Sequence, residues 1–446
     1  MTALRLAIFV VGVLASRPAA LWLRDRPAVR IWLWTLMGLL PFLPPFRVAL
    51  AFFPSTPGDT HGLETVPLID GLALCLFRPA KPGDGAVPYR FALCLYFLVV
   101  IVSITEARWP LLVVGYAWTL CRMLLLLLAT WRAGRDDGRV VGALLRGMLL
   151  GVVYNGGLAA WQHFGEGLLR AQGSFSGWNS LGMALNLVVM VPVARILAGR
   201  TSLLTKLALA AAVLGALCSV SRGALLFLGI GVALVWLGSA MQEFTSRKAW
   251  FGLCGLLLAA IAIPIALSKV GSRAEEERQE SMMERQLLEN AASMMLREHP
   301  LGVGASHYTP ELLLGGYGRR VGLGWREWVA IVHNVYWLTA AELGYLGVVA
   351  LLALFLAPLR IALRRRPPGP RGDVLLGLGV GLLVFSVHSC FEWVWRLSEI
   401  SYLYFMTIAL VAVVARPARQ ALAGPSRERV ATPPWRAAAR ATASLA

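Results

Sequence analysis

Apolar runs of about 20 residues recur along the chain, and they limit the possible folds more than any other feature. Only 15% of the 446 residues are charged and 58% are hydrophobic, whereas a soluble domain carries about 25% charged residues. These proportions exclude a disordered chain, a disulfide-rich secreted scaffold and an ordinary cytosolic enzyme. Because lipid cannot satisfy backbone polar groups, the sequence predicts an all-α polytopic membrane protein with about 12 transmembrane helices.

The predicted spans are separated by short polar turns. They cover 5–22, 31–53, 90–106, 110–131, 140–161, 175–198, 203–220, 223–239, 249–268, 329–357, 373–393 and 398–415. We interpret residues 1–415 as a single transmembrane helical bundle. Residues 269–328 then form one long loop with its own helix, because most connections are far shorter. Residues 416–446 are predicted to be a basic, disordered cytoplasmic tail.

The net charge of +18 comes from basic residues that cluster in short polar turns. Such clustering is typical of the cytoplasmic turns of membrane proteins, so no nucleic-acid partner is expected. The basic turn 358–372 and the tail after Arg416 are therefore predicted to face the cytoplasm. Counting the spans back from them places four polar segments on the opposite, external face: 163–174, 219–222, 269–328 and 392–399.

Motifs for metal and nucleotide binding are missing from the sequence. There is no HExxH, no Walker motif and no nucleotide-binding glycine fingerprint, and no carboxylate pair has metal-binding spacing. The six cysteines lie in apolar stretches without a CxxC pair, as expected of small core residues. We therefore predict no metal and no cofactor.

Seven polar residues in four groups fall on the predicted external face. They are Arg170 and Asn179, Ser221 and Arg222, Arg285, and His333 with Asn334. Ionisable groups that border an apolar span are candidates for function. We therefore expect these groups to meet at one site.

Three arginines are candidates for binding an anionic substrate. Arg222 lies in a Ser-x-Ser-Arg-Gly-Ala turn, where its five donors suit a phosphate, although arginine also commonly anchors a helix end at the head groups. Arg285 lies on a helix that alternates Glu and Arg, which favours a solvated face with i,i+4 pairs. Arg122 lies in the middle of a span and needs a partner or a water-filled cavity, so it is a further substrate-binding candidate.

His333 is the candidate general base because it opens the tenth predicted span at its outer boundary. Histidine exchanges a proton near neutral pH, as activation of a hydroxyl requires. The alternative is a helix-start histidine whose ring nitrogens bond to the backbone. Two more ionisable residues, His388 and Glu392, lie one helical turn apart near the same face. They are either a hydrogen-bonded structural pair, which we favour, or part of the site.

Four segments carry a resemblance to a known family. They are RAQGSFSGWN (170–179), SRGA (221–224), ERQLLENAASMMLREHPLGVGASHY (284–308) and HNVYWLTAAELGYLG (333–347). In order, spacing and predicted side, they resemble the bacterial O-antigen ligase / O-antigen polymerase superfamily, most closely O-antigen ligase. The resemblance extends over residues 150–357. Trp178 departs from the family pattern, which commonly has Gly-x-Phe-x-His-Pro-Asn at this place.

The resemblance implies a multi-pass glycosyltransferase of the bacterial inner (cytoplasmic) membrane with its active site on the periplasmic face. Its donor would be a glycan on undecaprenyl pyrophosphate, and its acceptor lipid A–core or another glycan, in contact with membrane lipid. The family uses neither nucleotide sugars nor a required metal. The resemblance assigns the family's motif arginines to Arg222 and Arg285 and its periplasmic histidine to His333.

The implied mechanism agrees with the chemistry of these side chains. Paired arginines would hold the lipid pyrophosphate and stabilise its developing charge. His333 would accept the proton of the acceptor hydroxyl, and direct displacement would invert the anomeric carbon. The residues predicted to bind substrate are Arg170, Asn179, Ser221, Asn334 and Arg122. The loop 269–328 would cover the site and contribute catalytic residues.

Several functions remain open at this point. A ligase, a polymerase of O-antigen or exopolysaccharide, and a protein O-oligosaccharyltransferase share these motifs, and the ligase resembles the chain most. A lipid or solute transporter is an alternative of another class, for which broken or charged helices and an internal repeat are typical. Arg47, Arg122 and the prolines of the second span favour it, but no repeat is evident in the sequence.

Overall fold

The computed structural model describes residues 2–52, 62–257, 275–364 and 366–416. The second half of the predicted span 249–268, the first residues of the long loop and nearly all of the predicted basic tail lie outside these ranges. The predictions for them are therefore not addressed by the structure.

The described residues form helices almost throughout. In chain order the elements are α1 (Thr2–Arg24), α2 (Pro27–Leu39), β1 (Val48–Phe52), β2 (Gly62–Thr65), α3 (Pro67–Leu76), α4 (Arg90–Val102), α5 (Pro110–Asp136), α6 (Arg139–Ala160), α7 (Trp178–Leu197), α8 (Leu203–Cys218), α9 (Arg222–Ala240), α10 (246–257), α11 (Glu275–Glu298), α12 (Tyr308–Leu314), α13 (Tyr317–Arg320), α14 (Val335–Arg364), α15 (Pro370–His388) and α16 (Ser398–Val414).

The predicted fold class, an all-α polytopic membrane protein, is confirmed. Within the described ranges, six helices are long and apolar enough to cross a membrane, namely α5, α6 with its continuation, α7, α9, α14 and α15. Shorter apolar helices accompany them, among them α2, α4, α8 and α16. The predicted count of about 12 spans stays a prediction.

The predicted second span, 31–53, is wrong in its second half. Helix α2 ends at Leu39, and after a short 3-10 turn the chain enters strand β1. Strand β1 pairs antiparallel with β2, with Val48 opposite Thr65. The prolines of the PFLPP stretch explain the difference, because proline lacks the amide hydrogen that a continuing helix needs.

Helix α7 lies at the centre of the bundle, with nearly all of its side chains buried. It packs against α8, α9 and α15. Its contact with α15 is close because glycines line the facing side: a Cβ at Gly377 would lie 2.5 Å from Val191 Cα, and one at Gly381 would overlap the Leu187 carbonyl. Small residues permit such close backbone approach between membrane helices, where apolar burial supplies little driving force.

The polar turns separate to the two ends of the bundle. At one end, Arg366 donates to the Gly238 carbonyl at 2.6 Å, and Arg200 Nε lies 3.3 Å from the Asp373 carboxylate. The turn that carries Arg366 is the one that sequence analysis placed in the cytoplasm. The segments predicted to be external meet at the other end, around Glu392.

Residues 275–334, called the loop segment below, have a hydrophobic core of their own. Leu288 and Met295 of α11 are fully buried with Leu312 of α12, against Leu338 near the start of α14. The Tyr308 hydroxyl donates to the Leu288 carbonyl at 2.8 Å and fixes α12 beneath α11. The helix predicted within the long loop is therefore present, and the segment packs on α14 as one unit.

Helix α14 is broken at Gly344, which has φ 66° and ψ −166°. The break leaves two carbonyls without helical partners. The Ala341 carbonyl accepts from the Val303 amide at 2.9 Å. The Glu342 carbonyl accepts from the Gly304 amide, also at 2.9 Å. The glycine-rich stretch of the loop segment is thus hydrogen-bonded into the broken turn, which satisfies buried backbone groups that would otherwise be orphaned.

Replacing Gly344 with alanine is expected to destabilise the protein by at least about 2 kcal/mol. Its backbone conformation is essentially restricted to glycine, and the new Cβ would overlap the Pro300 carbonyl oxygen. Thermal unfolding of the purified protein in detergent measures the effect. The matched control is Gly142→Ala in α6, where a Cβ meets nothing within 4 Å and the melting temperature should not fall. Equal melting temperatures for the two variants would contradict this account of the break.

Candidate active site

One buried carboxylate joins three of the predicted site residues. Glu392 follows α15, and its side chain is only 6% exposed. Its Oε1 accepts a hydrogen bond from Asn179 Nδ2 at 2.6 Å and lies 3.6 Å from a terminal nitrogen of Arg285. Its Oε2 lies 3.5 Å from His333 Nδ1. Residues from α7, α11 and the start of α14 therefore converge on one side chain.

His333 lies just before α14 and keeps one edge of its ring accessible. Its Nδ1 is buried and has no hydrogen-bond partner within the described ranges, and Glu392 is the acidic group facing it. The side chain as a whole is 32% exposed. The accessible part of the side chain therefore lies away from Nδ1.

A tight turn holds Arg222 beside this group. Helix α8 ends at Cys218 and α9 begins at Arg222, with Val220 in a left-handed conformation at φ 50°. Ser221 caps α9 by accepting from the Ala224 amide at 3.3 Å. The Ser221 hydroxyl also donates to Asn179 Oδ1 at 2.9 Å, which links the turn to Glu392 through Asn179.

The Arg222 side chain itself is exposed at the first position of α9. It makes no ion pair or hydrogen bond with another residue that the structure describes. Its neighbour Gly223 lies so close to His388 that a Cβ there would be 2.9 Å from the imidazole Nε2. Arg222 thus presents an uncompensated guanidinium at the end of the bundle that carries Glu392.

Arg285 on α11 reaches across to the end of α15. It donates to the Phe391 carbonyl at 3.4 Å in addition to its contact with Glu392. The sequence alternative, an i,i+4 pair with Glu289, is not what the structure shows. Glu289 instead accepts from Asn334 Nδ2 at 3.2 Å.

Asn334 shapes the start of α14. Its Oδ1 accepts from the amides of Tyr336 and Trp337, at 3.0 and 3.2 Å, and so caps the helix. Because its amide nitrogen also contacts Glu289, it ties α11 to α14 next to His333. This contact helps to hold α11, which carries Arg285, next to the start of α14.

The other two predicted binding residues lie outside the direct contacts of Glu392. The Arg170 guanidinium stacks 4.0 Å from the ring centroid of Trp178, the residue that precedes Asn179. Arg122 is buried elsewhere: its Nε lies 3.5 Å from the Asp70 carboxylate and it donates to the Glu64 carbonyl. These contacts supply the partner that an arginine in a span needs.

His307 is another histidine of the loop segment, and both of its ring nitrogens are occupied. Its Nε2 accepts from the Trp109 amide at 2.9 Å, and its Nδ1 lies 2.8 Å from the Ala305 carbonyl. Burial lowers the pKa of His307, so the neutral ring is favoured. His307 therefore holds backbone groups in place, whereas His333 has an accessible edge.

Glu392 does not form the hydrogen-bonded pair with His388 that the sequence interpretation favoured: His388 stacks on Phe227 with ring centroids 4.5 Å apart. The Nδ1 of His388 makes no hydrogen bond to another described residue. The contacts of Glu392 with Asn179, Arg285 and His333 agree with the other interpretation, membership of the site. The signal available in the sequence was an acidic residue at the predicted outer end of a span, on the same face as His333.

Residues 207–352 match the family model described as O-antigen ligase. The chain carries a domain of the O-antigen ligase superfamily. The resemblance noted in the sequence is thereby confirmed, and the matched range includes Arg222, Arg285 and His333. A search of curated proteins finds no significant match to the chain.

The O-antigen ligase domain indicates glycan transfer of the ligase or polymerase type by a multi-pass membrane protein, with glycan and lipid substrates. The donor, the acceptor and the roles of individual residues are matters for a proposal. Among the described residues, no group of three or more His, Cys, Asp and Glu side chains is arranged to hold a metal ion.

Proposed function

We propose that this protein is an O-antigen ligase that moves a glycan from undecaprenyl pyrophosphate to a sugar hydroxyl of lipid A–core. The reaction takes place on the periplasmic face of the bacterial inner membrane. The observation that supports it is the convergence of Arg285 and His333 on Glu392, with Arg222 exposed beside them, inside the matched domain.

The two arginines fit the pyrophosphate of the donor. Arg222 has no protein partner within the described ranges, and Arg285 is 42% exposed and shares its carboxylate with other groups. Both can therefore turn to a ligand at little cost. Bidentate hydrogen bonds from guanidinium groups stabilise the negative charge that develops on the leaving diphosphate.

His333 fits the role of general base. Its Nε2 accepts the proton of the acceptor hydroxyl while the hydroxyl oxygen attacks the anomeric carbon. The bond between that carbon and the phosphate oxygen breaks, and undecaprenyl pyrophosphate leaves with the bonding electrons. A direct displacement inverts the anomeric carbon. Because arginines carry the neutralising charge, the reaction requires no metal ion.

Neighbouring residues complete the binding site. Asn179 and Ser221 hold the Arg222 turn against Glu392, and Asn334 holds α11 against the start of α14. Arg170 adds a positive charge at the same entrance, stacked on Trp178. The lipid tail of the donor lies among the helices, and the glycan lies beneath the loop segment.

The purified protein tests this function directly. With a lipid-pyrophosphate-linked glycan and lipid A–core in detergent, we expect glycan to appear on the core, at a rate that a chelator leaves unchanged. Extension of the glycan on its lipid carrier would instead identify a polymerase. Transfer to serine or threonine would identify a protein O-oligosaccharyltransferase. No transfer to any acceptor would overturn the proposal. Such a result would favour a transporter, because a transporter has no activity to show in detergent, where there are no two compartments.

A further inference from the structure

The two oxygens of the Glu392 carboxylate face different groups. Oε2 faces His333 Nδ1 at 3.5 Å, and Oε1 holds Asn179 at 2.6 Å with Arg285 at 3.6 Å. The short hydrogen bond from Asn179 thus fixes the carboxylate to the bundle. The two longer contacts are with His333, the proposed base, and with Arg285, which is proposed to bind the diphosphate. Catalytic hydrogen bonds are often long before substrate is bound and shorten in the reactive complex.

We propose that Glu392 is the positioning residue for the proposed base, because its carboxylate accepts the Nδ1 hydrogen of His333 and leaves Nε2 free to receive the acceptor's proton. This inference rests on the proposed function. The same carboxylate sets the distance between Arg285 and His333, so a single side chain aligns the diphosphate with the attacking hydroxyl.

The burial of the groups supports this orientation. Nδ1 of His333 is buried without another hydrogen-bond acceptor in the described part of the chain, and a buried ring N–H needs one. A neutral imidazole carries its hydrogen on one nitrogen only, so an acceptor at Nδ1 leaves Nε2 as the basic atom. Glu392 is the acidic side chain within reach, and Asn179 keeps it in place.

The charged surroundings of His333 come from several elements. Helix α11 contributes Arg285 and Glu289, the segment after α15 contributes Glu392, and α15 ends at His388. Arg222 lies at the start of α9. Removing the Glu392 charge takes away the anion that faces the imidazole and leaves Arg285 without its carboxylate partner. We therefore expect protonation of His333 to be less favourable in such a variant than in the wild type.

The isosteric variant Glu392→Gln tests the proposal without reference to activity. Diethyl pyrocarbonate reacts with the neutral imidazole, and mass spectrometry reads the modified fraction of His333 against pH in the whole protein. We expect the midpoint to fall by about one pH unit in Glu392→Gln. The control is Glu399→Gln, which removes an equally buried carboxylate paired with Arg47 at 2.8 Å and should leave the midpoint unchanged.

Steady-state kinetics of the same two variants give the second readout. Glu392→Gln is expected to lower kcat by about tenfold to a hundredfold and to change KM little, with the melting temperature close to that of the wild type. An unchanged His333 midpoint in Glu392→Gln, or equal shifts in both variants, would overturn the assignment. If the wild type is inactive but the midpoint shifts as expected, the proposed function fails while the contact between Glu392 and His333 stands.

Discussion

Replacing His333 with alanine is expected to reduce glycan transfer between about a hundredfold and ten-thousandfold, which is the usual contribution of a positioned general base. The effect should be on kcat, because the imidazole acts when the hydroxyl attacks and contributes little to donor binding. The measurement is the rate of glycan appearance on lipid A–core under saturating donor. The folded state should survive, since the His333 side chain is a third exposed and the Glu392 carboxylate keeps its hydrogen bond from Asn179.

Another histidine of the loop segment, His299, provides the matched control. His299 is exposed at the end of α11, and His299→Ala should transfer glycan at the wild-type rate. Because both variants remove one imidazole from the same segment, a difference between them isolates the position. Full activity of His333→Ala would remove the base from the mechanism and leave only the arginines as candidates.

Replacing Arg222 with lysine is expected to lower transfer by roughly a hundredfold, although the positive charge is kept. Lysine has a single ammonium group and cannot make two parallel hydrogen bonds to a phosphate. Arg222 is exposed and unpaired among the described residues, so the loss reports on ligand contact and not on stability. The rate is measured together with the melting temperature.

The control for Arg222 is Arg297→Lys, a matched exchange at an exposed position of α11. This variant should behave as the wild type in both rate and melting temperature. A near-normal rate for Arg222→Lys would show that charge alone is needed at this turn. Arg222 would then only anchor the start of α9 at the lipid head groups, which is the alternative named in the sequence analysis.

Much of the helical framework could be predicted because each span is a single apolar run between polar turns. The predicted span 223–239 corresponds to α9 at Arg222–Ala240, and the predicted span 398–415 corresponds to α16 at Ser398–Val414. The β-hairpin could not be predicted, because VALAF is as apolar as a helical continuation and only the preceding prolines separate the two.

The sequence predicted which residues belong to the candidate site, but it did not predict which of them contact one another. Charge counting placed Asn179, Arg285 and His333 on one face, yet nothing local to any of them indicates a shared carboxylate. That contact depends on where α15 ends against α7 and α11, which is a matter of tertiary packing. For the same reason Arg122 was grouped with the site, although its partner Asp70 lies 52 residues earlier in the chain.

The break in α14 at Gly344 has a consequence for the binding of a bulky substrate. Residues 303 and 304 donate backbone hydrogen bonds to carbonyls of α14, and Asn334 caps the start of the same helix. The stretch 303–334 is therefore attached to α14 at both of its ends. A stretch attached at both ends resists hinge motion. Moving it away from α14 would leave the buried Ala341 and Glu342 carbonyls without hydrogen-bond donors. We therefore expect the wall beside α14 to keep its shape when a substrate of the proposed reaction binds.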